Sequence, residues 1–250
     1  MKTVFLIYMP IKNSLKIYVL DGYYHLYNRG INKANIFLEK LDYNVFLSYL
    51  KTYLLPQDTS LILQALNRKT LSDKEKSNLL KLLSLRNYSD KVDLISYCLM
   101  PNHYHLLIRQ RTDKGLEYFM RSFMTRYTKY FNSKHKRRGP LFEGRYKAVL
   151  VETDEQLVHL SRYIHRNPIA HLTKKDIENS KPNLYDAIYK QPSSYPVYLG
   201  MIEQKWIKPS VILDNFKSNS SYRSFVENYD SVRDEKNIRG IYDIAIDYDL

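Results

Sequence analysis

One segment restricts the fold of this chain more than any other: Cys98-Leu99-Met100-Pro101-Asn102-His103-Tyr104-His105-Leu106-Leu107-Ile108. It sets two histidines one residue apart at the head of an alternating apolar run. Successive side chains of a β-strand point to opposite faces, so His103 and His105 project together while Tyr104, Leu106 and Ile108 pack behind them. The chain therefore needs a sheet with an apolar face and a face bearing two imidazoles. Paired imidazoles can ligate a metal and leave positions open for a third group and for substrate oxygens. The competing reading is a pair of half-buried histidines hydrogen-bonded at a strand end.

Around that segment the organisation is α+β. Tyr23 to Asn28 alternate and end at Arg29-Gly30, which predicts a first strand. Val45, Phe46, Tyr49, Leu50 and Tyr53 share one helical face over 42–54, with Pro56 as the stop. Val92–Leu99 and His103–Ile108 read as a hairpin, followed by a helix over 114–132 with Leu116, Phe119, Met120, Phe123 and Met124 facing the core. A fourth strand is predicted over 146–152. The last motif-bearing helix starts at Thr153, with Gln156 completing a capping box and Asp154 and Glu155 in the first turn. Leu157, Leu160 and Ile164 form its buried stripe, and Tyr163 and Asn167 stand four residues apart opposite it, before Pro168. Residues 56–91, with Leu79, Leu80, Leu82 and Leu83, read as an insertion of short helices. From Lys174 onward, Pro182, Pro192, Pro196 and Pro209 break the periodicity, so 174–250 reads as a mainly helical or irregular appendage anchored by Trp206, the only tryptophan. Its end, acidic after Val226, is expected to be poorly ordered.

A single cysteine, Cys98, excludes a disulfide framework, and its apolar surroundings mark it as a core thiol. Pro10 interrupts the short apolar run at the N-terminus, so 1–21 reads as an extension or extra edge strand rather than a targeting segment. No stretch is long and apolar enough for a membrane span, and the cytosol is the expected compartment. The net charge of +13 calls for a polyanionic partner. Nine basic residues lie between Arg121 and Lys147 against one acid, Glu143, with Phe123, Tyr127, Tyr130, Phe131, Phe142 and Tyr146 among them. Cations for phosphates interleaved with aromatic platforms for bases suit single-stranded nucleic acid. A solvated helix face followed by a basic loop is the plainer alternative.

Four motifs in order carry a resemblance. They are Tyr24-His25-Leu26-Tyr27-Asn28-Arg29-Gly30, then Cys98 to Ile108, then Gly139-Pro140-Leu141-Phe142-Glu143-Gly144-Arg145-Tyr146-Lys147, then Ser161-Arg162-Tyr163-Ile164-His165-Arg166-Asn167-Pro168. Together they resemble the single-tyrosine HUH transposases (transposase IS200-like domain), above all the REP-associated tyrosine transposases, over residues 22–173. Ser193-Ser194-Tyr195-Pro196-Val197-Tyr198-Leu199-Gly200 is similar to a segment downstream of the domain in that branch. The resemblance implies a ferredoxin-like antiparallel sheet bearing the histidine pair, with a helix bringing a tyrosine beside it. It implies His103 and His105 as metal ligands, Asn167 as the third ligand where some relatives have Gln, and Tyr163 as the nucleophile. Mg²⁺ is the implied ion, with Mn²⁺ as substitute. The implied activity is nicking and joining of single-stranded, hairpin-bearing DNA through a 5′-phosphotyrosine.

Arg126, Arg137, Arg138, Arg145 and Lys147 are the strand-contact candidates on charge and position. Two other readings stand beside this one. A catalytically retired nucleic-acid-binding protein of the same fold would keep the basic segment without turnover. A metal-dependent hydrolase would need a further acidic or histidine ligand, for which no candidate stands out. Monomer and homodimer are both open.

Overall fold

The computed structural model describes residues 18–68, 70–84, 86–169 and 181–228. The expected N-terminal extension up to residue 17 and the acidic end from residue 229 lie outside the described residues. Strand β1 (Tyr23–Arg29) leads through helix α1 (Lys40–Leu54) and a helical pair, α2 (Thr59–Leu66) and α3 (Asp73–Ser84), to strand β2 (Val92–Met100). Strand β3 (His103–Gln110), helix α4 (Gly115–Lys134), strand β4 (Lys147–Val151) and helix α5 (Asp154–Arg166) follow. The strands form one sheet in the order β2-β3-β1-β4, each pair antiparallel. With α1 and α4 as its crossovers this is a ferredoxin-like sheet, as the resemblance implies. The predicted elements lie within two residues of the observed ones.

Period-two alternation divides the sheet into two faces. Tyr24, Leu26, Leu99, Tyr104, Leu106 and Ile108 pack with Phe46, Phe119, Phe123 and Tyr127 of α1 and α4. Phe46 meets Phe123 edge to face at 4.7 Å, an arrangement favoured by the ring quadrupoles. On the opposite face Cys98, Leu107 and Val151 pack with Leu157, Leu160 and Ile164 of α5. Thr153 caps α5 by accepting the Gln156 amide at 3.1 Å, but the Gln156 side chain accepts Glu152 N–H at 2.9 Å rather than Thr153 N–H, so only half of the predicted box forms.

Gly30 ends β1 where the chain passes so near Ala34 that a Cβ would overlap its carbonyl. Its N–H donates to the Asn102 carbonyl at 2.8 Å, which fixes the two-residue turn ahead of His103. Neither α2 nor α3 buries a side chain, consistent with an insertion projecting from the core.

The C-terminal part is more integrated than an appendage. Leu99 N–H donates to Pro192 O, Ser194 N–H to Tyr97 O and Lys208 N–H to Leu94 O, at 2.9–3.0 Å, so this segment lies along the outer edge of β2 and covers it. Trp206 stacks on Tyr97 at 5.7 Å, the anchoring expected of it. Buried Ser161, Arg162 and His165 show that α5 is covered on its far side too.

Asp42 ties the first helix to the fourth. Its carboxylate accepts Leu38 N–H at 2.8 Å, Glu39 N–H at 3.2 Å, Tyr130 O–H at 3.0 Å and His135 Nε2 at 3.0 Å. Burial pushes this carboxyl up, but those hydrogen bonds outweigh it and hold the group below the usual carboxylate range. The contribution to stability is thus present above the unfolded value, about 3.9, and is lost as pH falls through the lower folded value. Asp42→Ala should cost about 3 kcal/mol, since it removes a helix cap and leaves buried donors unmatched. Urea denaturation at neutral pH measures this, and a loss below about 1 kcal/mol would contradict it.

Candidate functional site

In the β1–β3 register Arg29 pairs with His103, Tyr27 with His105 and His25 with Leu107. Since register partners share a face, these side chains lie on the α5 side of the sheet. His103 and His105 therefore point the same way, as their spacing predicts, and both are buried, His105 completely. Asn167 follows the last turn of α5 and bridges them. Its Oδ1 is 3.0 Å from His103 Nε2, and its Nδ2 is 3.2 Å from His105 Nε2. The Tyr163 ring stands edge-on to His105 at 5.6 Å and to His25 at 6.0 Å. Residues from β1, β3 and α5 thus meet at one point.

Sequence reasoning placed Tyr163 and Asn167 together on the helix face opposite the buried stripe. In the structure Tyr163 is half-buried and Asn167 is 6 % exposed, because the sheet and the C-terminal segment enclose α5 from two sides.

The hydrogen bonding of this group is compatible with a positive charge between its members, whether a second proton on His103 or a metal ion. Asn102 is oriented by its Nδ2, which donates to Lys33 O at 3.4 Å, and presents Oδ1 to His103 Nδ1 at 2.6 Å. A neutral His103 ring has one N–H yet faces two carbonyl oxygens, Asn102 Oδ1 and Asn167 Oδ1. One of the two contacts is then lone pair against lone pair. With the proton on Nδ1, the conflict falls between His103 Nε2 and Asn167 Oδ1, where a metal ion would relieve it. His105 has the matching arrangement, its Nδ1 lying 2.9 Å from His25 Nε2. A proton on Nδ1 leaves Nε2 as the acceptor that faces the Asn167 amide, which is the outer-sphere pattern of ligating histidines. Burial pushes His105 down to about 3, so it stays neutral and keeps a lone pair at physiological pH. Two imidazole nitrogens and an amide oxygen can hold a divalent ion and leave positions for phosphate oxygens.

His25 and Arg29 stand in the first motif, but the sequence reading gave them no role. His25 is fully buried and stacks on His105 at 5.1 Å, a pairing across 80 residues that no local pattern reveals. Arg29 forms a forked ion pair with Glu143 at 3.2 and 3.1 Å, in the register row that carries His103.

The basic candidates divide. Lys147 opposes Tyr27 in the β1–β4 register, shares its face and is exposed. Arg138 and Arg145 are exposed in the loop before β4. Arg137 braces that loop, donating to Pro140 O at 2.8 Å and Asn132 Oδ1 at 3.3 Å. Arg126 is not brought to the site. Its guanidinium lies 3.8 Å over Tyr49 and 5.5 Å from Tyr53, in the α1–α4 layer on the other side of the sheet, where ring faces compensate its charge.

Among the described residues one further set of potential ligands gathers, Glu39, Asp42 and His135. The Asp42 carboxylate is already occupied by the four donors named above, and Lys134 sits 3.3 Å from Glu39. This is a helix anchor.

Residues 59–167, spanning α2 to the end of the histidine–asparagine site, match the model of the family described as Transposase IS200 like. Over that stretch the chain is similar to the IS200-like transposases. The match agrees with the resemblance drawn from the motifs at Cys98–Ile108, Gly139–Lys147 and Ser161–Asn167, and the motif at Tyr24–Gly30 lies outside it. A solved structure described as "Structure of the REP associates tyrosine transposase bound to a REP hairpin" aligns with 79 % of this chain and 98 % of that chain, with a TM-score of 0.45 and 11 % identity. No curated protein matches. The IS200-like stretch contains His103, His105, Tyr163 and Asn167 and excludes β1, so His25, Tyr27 and Arg29 lie outside the matched residues. Among the described residues no helix is long and apolar enough to cross a membrane.

Proposed function

We propose that this chain is a metal-dependent single-stranded DNA endonuclease and strand transferase that works through Tyr163 on hairpin-bearing DNA. The observation that carries this reading is the convergence of His103 Nε2 and His105 Nε2 on the Asn167 amide, with the Tyr163 ring against His105. His103, His105 and Asn167 would hold the ion, Mg²⁺ with Mn²⁺ as substitute. When bound, it supplies orientation of the scissile phosphate and neutralisation of charge on its non-bridging oxygens.

Tyr163 gives up its phenolic proton as its oxygen bonds to phosphorus. The bond from phosphorus to the 3′ oxygen breaks, and that oxygen departs as a free 3′-hydroxyl. One phosphodiester is exchanged for another, so a second 3′-hydroxyl can reverse the step and join strands with no energy-rich co-substrate. Asn102 and His25 hold the two imidazoles by their Nδ1 atoms and so keep both Nε2 atoms aimed at Asn167. Helix α5 carries both Tyr163 and the start of the turn with Asn167, so one rigid element sets the nucleophile relative to the ligands.

The test is a denaturant-resistant adduct. Protein, Mg²⁺ or Mn²⁺ and single-stranded oligonucleotides bearing the inverted repeats that flank its gene should yield a covalent complex whose tryptic mapping gives a nucleotide on Tyr163. Strand contact is assigned to Arg138, Arg145 and Lys147, while Arg137 serves the loop. Replacing Arg138 and Arg145 together by Ala should lower the slope of log K against log salt by up to roughly 1.4, at about 0.7 per lost phosphate contact. Base preference should survive, and an unchanged slope would move the DNA away from this loop.

A further inference from the structure

The sheet face offers more than the ligands. Lys147, Tyr27, His105 and Cys98 are successive register partners on β4, β1, β3 and β2, so they form one row across the sheet on the α5 side. Cys98 and His105 are fully buried, Tyr27 is half-buried and Lys147 is exposed. Moving outward from a candidate metal ligand, the row meets an aromatic ring and then a cation, each one strand spacing of about 4.8 Å further on. The Tyr27 ring lies 5.0 Å from His25 and 6.1 Å from His105, tilted by 33° and 27°. The two histidines therefore support it from within, and the residue keeps part of its surface exposed.

We propose that Tyr27 is a nucleobase platform: it stacks the base flanking the scissile phosphate, and Lys147 takes the next phosphate along the strand. This rests on the reading of the site as a DNA-cleaving centre and names a substrate contact for it. A supported ring stacks on any base, because every base has a π-face, and an adjacent cation on the same row tracks the backbone. Tyr27 would thereby hold the flanking nucleotide out of a duplex, and cleavage would favour positions with an intact base there.

The experiment compares binding of dT12 with binding of a 12-mer of the same charge in which every nucleotide is abasic, by fluorescence anisotropy. Wild type should prefer dT12. Tyr27→Leu should reduce that preference by roughly fivefold or more, because stacking is worth about 1–3 kcal/mol per base. Tyr27→Phe should keep it, which also shows that ring loss and not misfolding is responsible. Lys147→Ala should lower the salt slope by about 0.7 and leave the preference intact. A preference in Tyr27→Leu equal to wild type, with the tyrosine adduct still formed on hairpin DNA, would overturn this inference and spare the reading of the site. Wild type that binds neither probe and forms no adduct would overturn both.

Discussion

Tyr163→Phe should yield no covalent protein–DNA complex while binding single-stranded hairpin DNA about as well as wild type. The change deletes one oxygen and keeps the ring that packs at 5.6 Å on His105 and 6.0 Å on His25, so the site's architecture is retained. No other group can replace a lost nucleophile within a built site, and so the effect should be complete and not graded. Denaturing electrophoresis with end-labelled DNA reads the adduct, and anisotropy reads the binding. An adduct persisting in Tyr163→Phe would assign the nucleophile to another of the 24 tyrosines. Tyr127 and Tyr130 are poor substitutes, because Tyr127 is buried and donates to Ile36 O, and Tyr130 donates to Asp42.

The second large effect is expected from replacing His103 and His105 together by Ala. Adduct formation should slow roughly a thousandfold, equivalent to about 4 kcal/mol of lost charge stabilisation and phosphate orientation. Calorimetric titration should show weakened Mn²⁺ binding, and unchanged affinity would remove both histidines from the metal role. An open site would make this substitution nearly neutral for folding, but His105 is fully buried and bonded to His25. A stability loss of about 2 kcal/mol should therefore accompany it, from a cavity and an unmatched His25. Asn167→Ala alone should be milder, about tenfold, since water can take a vacated oxygen position around such an ion.

How much of this was readable depends on the range of the interaction. The shared face of His103 and His105 follows from a period of two, which the sheet preserves whatever its partners are. The cap at Thr153 and the core stripe of α4 are equally local. His25 could not be found that way: in Tyr23 to Asn28 the core positions Tyr24 and Leu26 alternate with Tyr23, His25 and Tyr27 in a pattern that any half-exposed strand shows, and its role is set by His105 on another strand. Arg126 read as a strand-contact candidate because α4 alone leaves it outside the stripe, and only Tyr49 and Tyr53 of α1 draw it in. The C-terminal prolines disrupt helical periodicity, so 174–250 read as loosely attached. The described part is instead held by side chain to backbone bonds, such as Tyr97 N–H to Ser194 Oγ at 2.9 Å and Tyr198 O–H to Ile95 O at 3.0 Å.

The enclosure of α5 bears on how strands could be exchanged. His165, two residues beyond Tyr163, has its Nδ1 2.7 Å from the Tyr222 hydroxyl and its Nε2 2.7 Å from Ser194 Oγ, and Ser161 reaches the same Tyr222 at 3.0 Å. The Arg162 guanidinium lies 4.3 Å over Phe225, and Arg166 donates to Val226 O at 2.6 Å. With the sheet on one side and these contacts on the other, moving the helix would break several buried polar links at once. A protein-bound 5′ end would therefore stay where it was formed, like work held in a vice. The free 3′ end would have to do the travelling, and the outcome of a joining reaction would be decided by which DNA end next reaches that stationary phosphotyrosine.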